Sequence, residues 1–166
     1  MRTFWTKFFG VVSIVCLMAM GAGTTTAVGR ELPGADAKQL WEYVTKNTPY
    51  TGWGYYPGRY GMYNGTHPHG AKLKLFANGP ALKAAREGKP MPYGAIVLKE
   101  NYAKDGKTLK AITPMYKVKG FNPEEGDWFW AKYGPDGKVM KAGKVEGCIN
   151  CHKAREAYDW TFNEAK

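Results

Sequence analysis

Cysteine and histidine are scarce: the 166 residues include three of each. Long hydrophobic runs are scarcer still. The longest, from Phe8 to Ala22, is short for crossing a bilayer. No internal repeat or low-complexity tract appears, and no series of long amphipathic helices. With 21 glycines and 10 prolines, a four-helix bundle is excluded. Acid is in the minority, 14 Asp and Glu against 24 Lys and Arg. The bases are spread along the chain (Lys72, Lys74, Lys83, Lys104, Lys107) rather than massed. That spread reads mostly as a solvated surface, which could also steer an acidic partner, and nucleic-acid binding is not expected.

The start of the chain reads as a leader. Arg2 and Lys7 precede the apolar run, and the small residues Gly21 to Ala27 follow it. That is the layout of a secretory signal peptide, with cleavage expected after Ala27, Gly23 as a second position, and an uncleaved anchor as the alternative. Val15 before Cys16 is too bulky for a lipoprotein signal. The expected organisation is therefore a leader over 1–27 and one domain over 28–166. Removing the leader takes Arg2 and Lys7, lowering the net charge from +10 to +8, and takes Cys16, leaving Cys148 and Cys151.

Coarse patterns place the remaining motifs. Asp36 with Gln39 is a capping box ahead of a short helix carrying Leu40, Trp41 and Val44. Tyr50 to Gly70, rich in Gly, Tyr and Pro, reads as irregular loop. Lys72 to Ala77 alternates as a half-buried strand. Gly79-Pro80 opens a helix that Gly88 and Pro90 close. Further strands are expected over 95–102, 112–119 and 127–133. Pro114 makes the second of these an edge or bulged strand. Gly134-Pro135-Asp136-Gly137 is a turn that leads into a return strand at Val139. The fold class is α+β: a small domain dominated by an antiparallel sheet, with a few short helices and the last motif on a helix near the C-terminus.

That motif is Cys148-Ile149-Asn150-Cys151-His152, the attachment signature of c-type haem. Two thiols one helical turn apart can add to the two vinyl groups of one porphyrin, and the adjacent histidine can ligate the iron. One disulfide is the plainer alternative. Half of a zinc site is another, but only His67 and His69 remain as further ligands, far upstream. No methionine follows among residues 153–166, and Met62, Met91, Met115 and Met140 read more simply as core. The sixth iron position is therefore expected to be open, which suits ligand binding or catalysis.

Three further stretches join this motif: Gly94-Ala95-Ile96-Val97-Leu98-Lys99-Glu100, Gly126-Asp127-Trp128-Phe129-Trp130 and Asp159-Trp160-Thr161-Phe162. In this order, over roughly residues 73–162, the chain resembles the cytochrome P-460 family, which includes the β-sheet cytochromes c′. The resemblance implies a periplasmic protein with one covalent haem c and five-coordinate iron, and family members are often homodimers. It implies oxidation of hydroxylamine to nitrous or nitric oxide, with electrons passing to a soluble cytochrome. It also implies that Lys99 bonds covalently to the porphyrin. On a strand, Lys99 shares a face with Ala95 and Val97, while Ile96, Leu98 and Glu100 take the other. Glu146 matches a family carboxylate that takes protons from the substrate. Two alternatives stay open: nitric oxide binding without turnover, as in the β-sheet cytochromes c′, and electron transfer with methionine ligation. Phe76 and Phe121 are candidates for the distal pocket or for core. His67 and His69 are loop histidines with an option on a metal or a haem propionate.

Overall fold

The structure, a computed structural model, describes Met1 and residues 31–162. The expected leader and its boundary at Ala27 lie outside the described residues. No helix among the described residues is long and apolar enough to cross a membrane.

Among the described residues, seven strands form one antiparallel sheet: β1 (Gly54–Tyr55), β2 (Tyr63–Asn64), β3 (Lys72–Ala77), β4 (Ile96–Tyr102), β5 (Leu109–Lys117), β6 (Trp128–Tyr133) and β7 (Val139–Gly143). Their order is β1-β3-β4-β5-β6-β7, and β2 also pairs with β3. From β3 onward each strand neighbours the next in sequence, so the connections are local. The expected antiparallel α+β domain is what is found. The stretch read as irregular loop carries β1 and β2, which are two residues each and too short to show a period.

Period two sorts the side chains into two cores. On one face Leu75, Ala77, Val97, Met115, Trp128 and Trp130 are buried together. Against them pack Ala81, Ala84 and Ala85 of helix α2 (Gly79–Glu87) and Ile149 of helix α3 (Glu146–His152). On the other face Phe76, Ile96, Leu98, Ile112, Tyr116, Phe129 and Tyr133 pack on Leu40 of helix α1 (Ala37–Glu42) and on Val44 of the π-helical turn that extends it. Asp36 caps α1 through Gln39 N–H at 2.8 Å. The Gln39 side chain turns back to accept from Gly34 N–H rather than from Asp36.

Pro114 departs from expectation. It lies on β5, an interior strand between β4 and β6, and is almost wholly buried. Toward β4 it pairs with Leu98 in unbroken register. Toward β6 the paired residues stop at Ile112 and resume at Met115. A proline is tolerated inside a sheet when the ladder is broken on the side its missing N–H would face.

Asn78 ties α2 to the sheet. Its Oδ1 accepts from Ala81 N–H at 3.2 Å and from Ile96 N–H at 3.0 Å, while Nδ2 donates to Gly94 O at 2.8 Å. Asn78→Ala removes a helix cap and strands buried backbone groups, so it should cost about 2–3 kcal/mol in urea unfolding. A loss below about 0.5 kcal/mol would show that the cap carries no load.

Candidate functional site

The motif Cys148 to Cys151 lies on α3, where a spacing of three places both sulfurs on one face. Both thiols are free, Cys148 half-buried and Cys151 exposed. Burial raises the pKa of Cys148. His152, the last residue of α3, is buried. Its Nδ1 lies 2.7 Å from Trp160 O. A carbonyl only accepts, so Nδ1 carries the proton and Nε2 keeps a lone pair for a metal. Trp130 and Phe162 flank the ring at centroid distances of 4.6 and 5.0 Å. Burial, and next the Lys99 charge, outweigh the Trp160 contact and hold the imidazole pKa down to about 4. It is neutral, as a ligand must be.

Cys148, Cys151 and His152 line a cavity of about 390 Å³ whose other wall is the sheet. Val97, Lys99 and Asn101 of β4, Ala111, Thr113 and Met115 of β5, and Trp130 and Lys132 of β6 point into it. They are register partners: Val97 opposes Met115, Lys99 opposes Thr113, Asn101 opposes Ala111, and Met115 opposes Trp130. The expected face of Lys99 is thus the cavity face. Burial pushes its amine down to about 8. Glu100 takes the opposite face, where Tyr50 and Tyr102 donate to its carboxylate at 2.8 and 2.7 Å. Its buried position between two phenols holds the strand's facing.

Glu146 falls elsewhere. It is exposed in the first turn of α3 and is not among the residues lining the cavity, although its neighbours Val145 and Gly147 are. Among the described residues no carboxylate lines that wall. Two residues before Cys148 on a helix is a different face from that of the thiols. Phe76 and Phe121 also lie away from the cavity, Phe76 in the core of the opposite face and Phe121 packed against it. Of the methionines, Met115 and Met140 line the cavity, and Met62 and Met91 do not.

Sequence reasoning undervalued His69. It lines the cavity, with Nε2 3.2 Å from Lys99 Nζ and Nδ1 3.1 Å from Asn101 Oδ1. Burial and the Lys99 charge hold it down to about 4. Its only signal was a histidine two residues from another in a loop, which says nothing about where that loop folds back.

The C-terminal corner was also underread. Asp159 and Trp160 are consecutive left-handed residues, at φ 52° and 62°. The Asp159 carboxylate accepts from Met91 N–H at 2.7 Å and pairs with Lys117, and its carbonyl accepts from Trp128 Nε1 at 3.1 Å. Gly126, at φ 71°, lets the Trp160 ring approach: a Cβ there would sit 2.7 Å from Trp160 Cδ1. The corner delivers the Trp160 carbonyl to His152, which ties the stretches at 126–130 and 159–162 to the Cys148–His152 motif.

The residues present fit a haem. The two thiols and the imidazole share a wall, and the Nε1 of Trp130, another lining residue, is buried without a hydrogen-bond partner among the described residues. Lys110, Lys132 and Lys141 line the same cavity and could meet two propionates. Among the described residues no group of three or more His, Cys, Asp or Glu could hold a bare ion. A porphyrin brings its own four nitrogens.

Removing the partly buried Asp159 carboxylate should destabilise the fold by about 3 kcal/mol in urea unfolding. Asp159→Gly eases the left-handed backbone, so it should cost about 1 kcal/mol less than Asp159→Ala. Equal losses would show that the corner is unstrained.

No curated protein matches the chain significantly. The family described as Cytochrome P460 matches residues 50–163, from the 3-10 turn at Tyr50 past the strained corner and across every residue of the cavity wall. The chain belongs to the cytochrome P460 family, and it is a haem-binding protein.

Proposed function

We propose that the chain is a periplasmic mono-haem c protein that oxidises hydroxylamine to nitrous oxide or nitric oxide. Cys148 and Cys151 would hold the haem by thioether bonds, His152 would ligate the iron, and Lys99 would bond to the porphyrin edge. The observation that carries this reading is a single cavity with the thiols and imidazole of α3 on one wall and the Lys99 amine on another. Bound there, the haem iron supplies a site that withdraws electrons from nitrogen.

The protein's own part is to hold and shield. Trp160 O keeps His152 in the ligating tautomer. Val97, Met115 and Trp130 make the sheet wall apolar beside Lys99. Two hydroxylamine molecules give one nitrous oxide, one water, four protons and four electrons. A soluble cytochrome takes the electrons, and the basic surface suits an acidic partner of that kind.

A second reading, nitric oxide binding without turnover, gains from one observation: Glu146, the expected proton acceptor, is exposed and outside the cavity wall. The two readings separate on the reduced absorption spectrum of the matured protein. A strongly red-shifted ferrous Soret band, with hydroxylamine-dependent reduction of an added cytochrome, is the expected result. An ordinary high-spin ferrous band without turnover would sink the enzyme reading in favour of nitric oxide binding. A low-spin spectrum that Met115→Ala abolishes would sink both in favour of electron transfer. In a denaturing gel, haem should stay with the wild-type chain and be lost from a Cys148→Ala, Cys151→Ala double variant.

A further inference from the structure

The sheet wall of the cavity carries a hydrogen-bond chain that haem attachment does not account for. It starts at Asn101, which is buried. One end of its amide faces Lys99 O at 3.1 Å, Ala111 O at 3.2 Å and Thr113 Oγ1 at 3.0 Å. Two of these are backbone carbonyls, which only accept, so that end is the nitrogen. The other end, Oδ1, accepts from Gly70 N–H at 3.2 Å and faces His69 Nδ1 at 3.1 Å. An oxygen there requires a proton on Nδ1. Burial and the neighbouring Lys99 charge keep the ring neutral at pH 7. The Nε2 atom therefore presents a lone pair, and it presents it to Lys99 Nζ at 3.2 Å.

A lysine normally carries its amine out to water on a flexible stem. Among the described residues no carboxylate lines the cavity to hold it. We propose that His69, locked by Asn101, is the positioning residue for Lys99, holding its amine as a hydrogen-bond donor so that it meets the porphyrin edge in one orientation. The inference rests on the reading that Lys99 bonds to the porphyrin. In that bond one N–H and one ring C–H are replaced by N–C. The two hydrogens and two electrons leave to an oxidant of the peroxide class, which becomes two waters. His69 supplies none of these; it fixes where the nitrogen waits.

The test compares haem-loaded wild type, His69→Ala and His69→Gln by the mass of their haem-bearing proteolytic peptides. In wild type the haem peptide should carry the Lys99 segment as well as Cys148 and Cys151. In His69→Ala the Lys99-bonded fraction should fall about fivefold or more, with haem still on both cysteines. His69→Gln, whose Oε1 can accept from the amine, should keep most of the bond. A purely structural role would instead lower haem loading and Tm in both variants alike. Bonding in His69→Ala at the wild-type level, or equal loss in both variants, would overturn the proposal. If wild type itself lacks the bond, the Lys99 reading fails and positioning is read from acetylation of the amine. A rise of about tenfold in the Lys99 labelling rate in His69→Ala then supports it, and an unchanged rate overturns it.

Discussion

The register of β4 against β5 is the constraint on which the site depends. Side chains alternate across a sheet, so a slip of one residue would send Lys99 into the opposite core and bring Glu100 to the cavity. The pairing runs without a shift from Ile96↔Tyr116 to Asn101↔Ala111, and the irregularity at Tyr102 comes only after the functional face is complete. Glu100 reinforces the facing from behind. Its carboxylate is buried between the Tyr50 and Tyr102 hydroxyls, with Lys74 at 3.9 Å, and reversing it would leave a charge without these partners. A residue with no access to the cavity thus helps decide which residue has it.

The second constraint is closure at the C-terminus. Helix α3 brings the thiols to the sheet, but the orientation of His152 depends on a carbonyl eight residues later. That carbonyl is held by two left-handed residues which glycine or asparagine would adopt more easily. The surrounding contacts outweigh the strain: a carboxylate shared between Lys117 and Met91 N–H, an indole donor from Trp128, and the bare backbone of Gly126. Strain kept in place by so many partners beside the imidazole proposed as iron ligand belongs to the site's preorganisation.

The cations that line the cavity have a related logic. Lys99, Lys110, Lys132 and Lys141 line a cavity with no acid among its described lining residues, an arrangement that repels itself. An anionic macrocycle bound there would relieve that repulsion and complete the electrostatics of the wall as well as its packing. His69 answers the same problem at one point, accepting from an amine that has no carboxylate to meet.

Much of this was legible along the chain because it is local. Alternation at Lys72–Ala77, the Asp36 cap, the helix start at Gly79-Pro80, the turn at Gly134–Gly137 and the spacing of Cys148, Cys151 and His152 each depend on neighbours a few residues apart. Period two even assigned Lys99 and Glu100 to opposite faces. What only the tertiary structure decided depended on distant partners. Pro114 could be interior because β6 breaks its ladder at that point. Glu146 missed the cavity because a helix turns residues two apart away from each other. His69 reached Lys99 because the loop after β2 folds back over Asn101, thirty-two residues on, and a pairing across that distance leaves no period in a sequence.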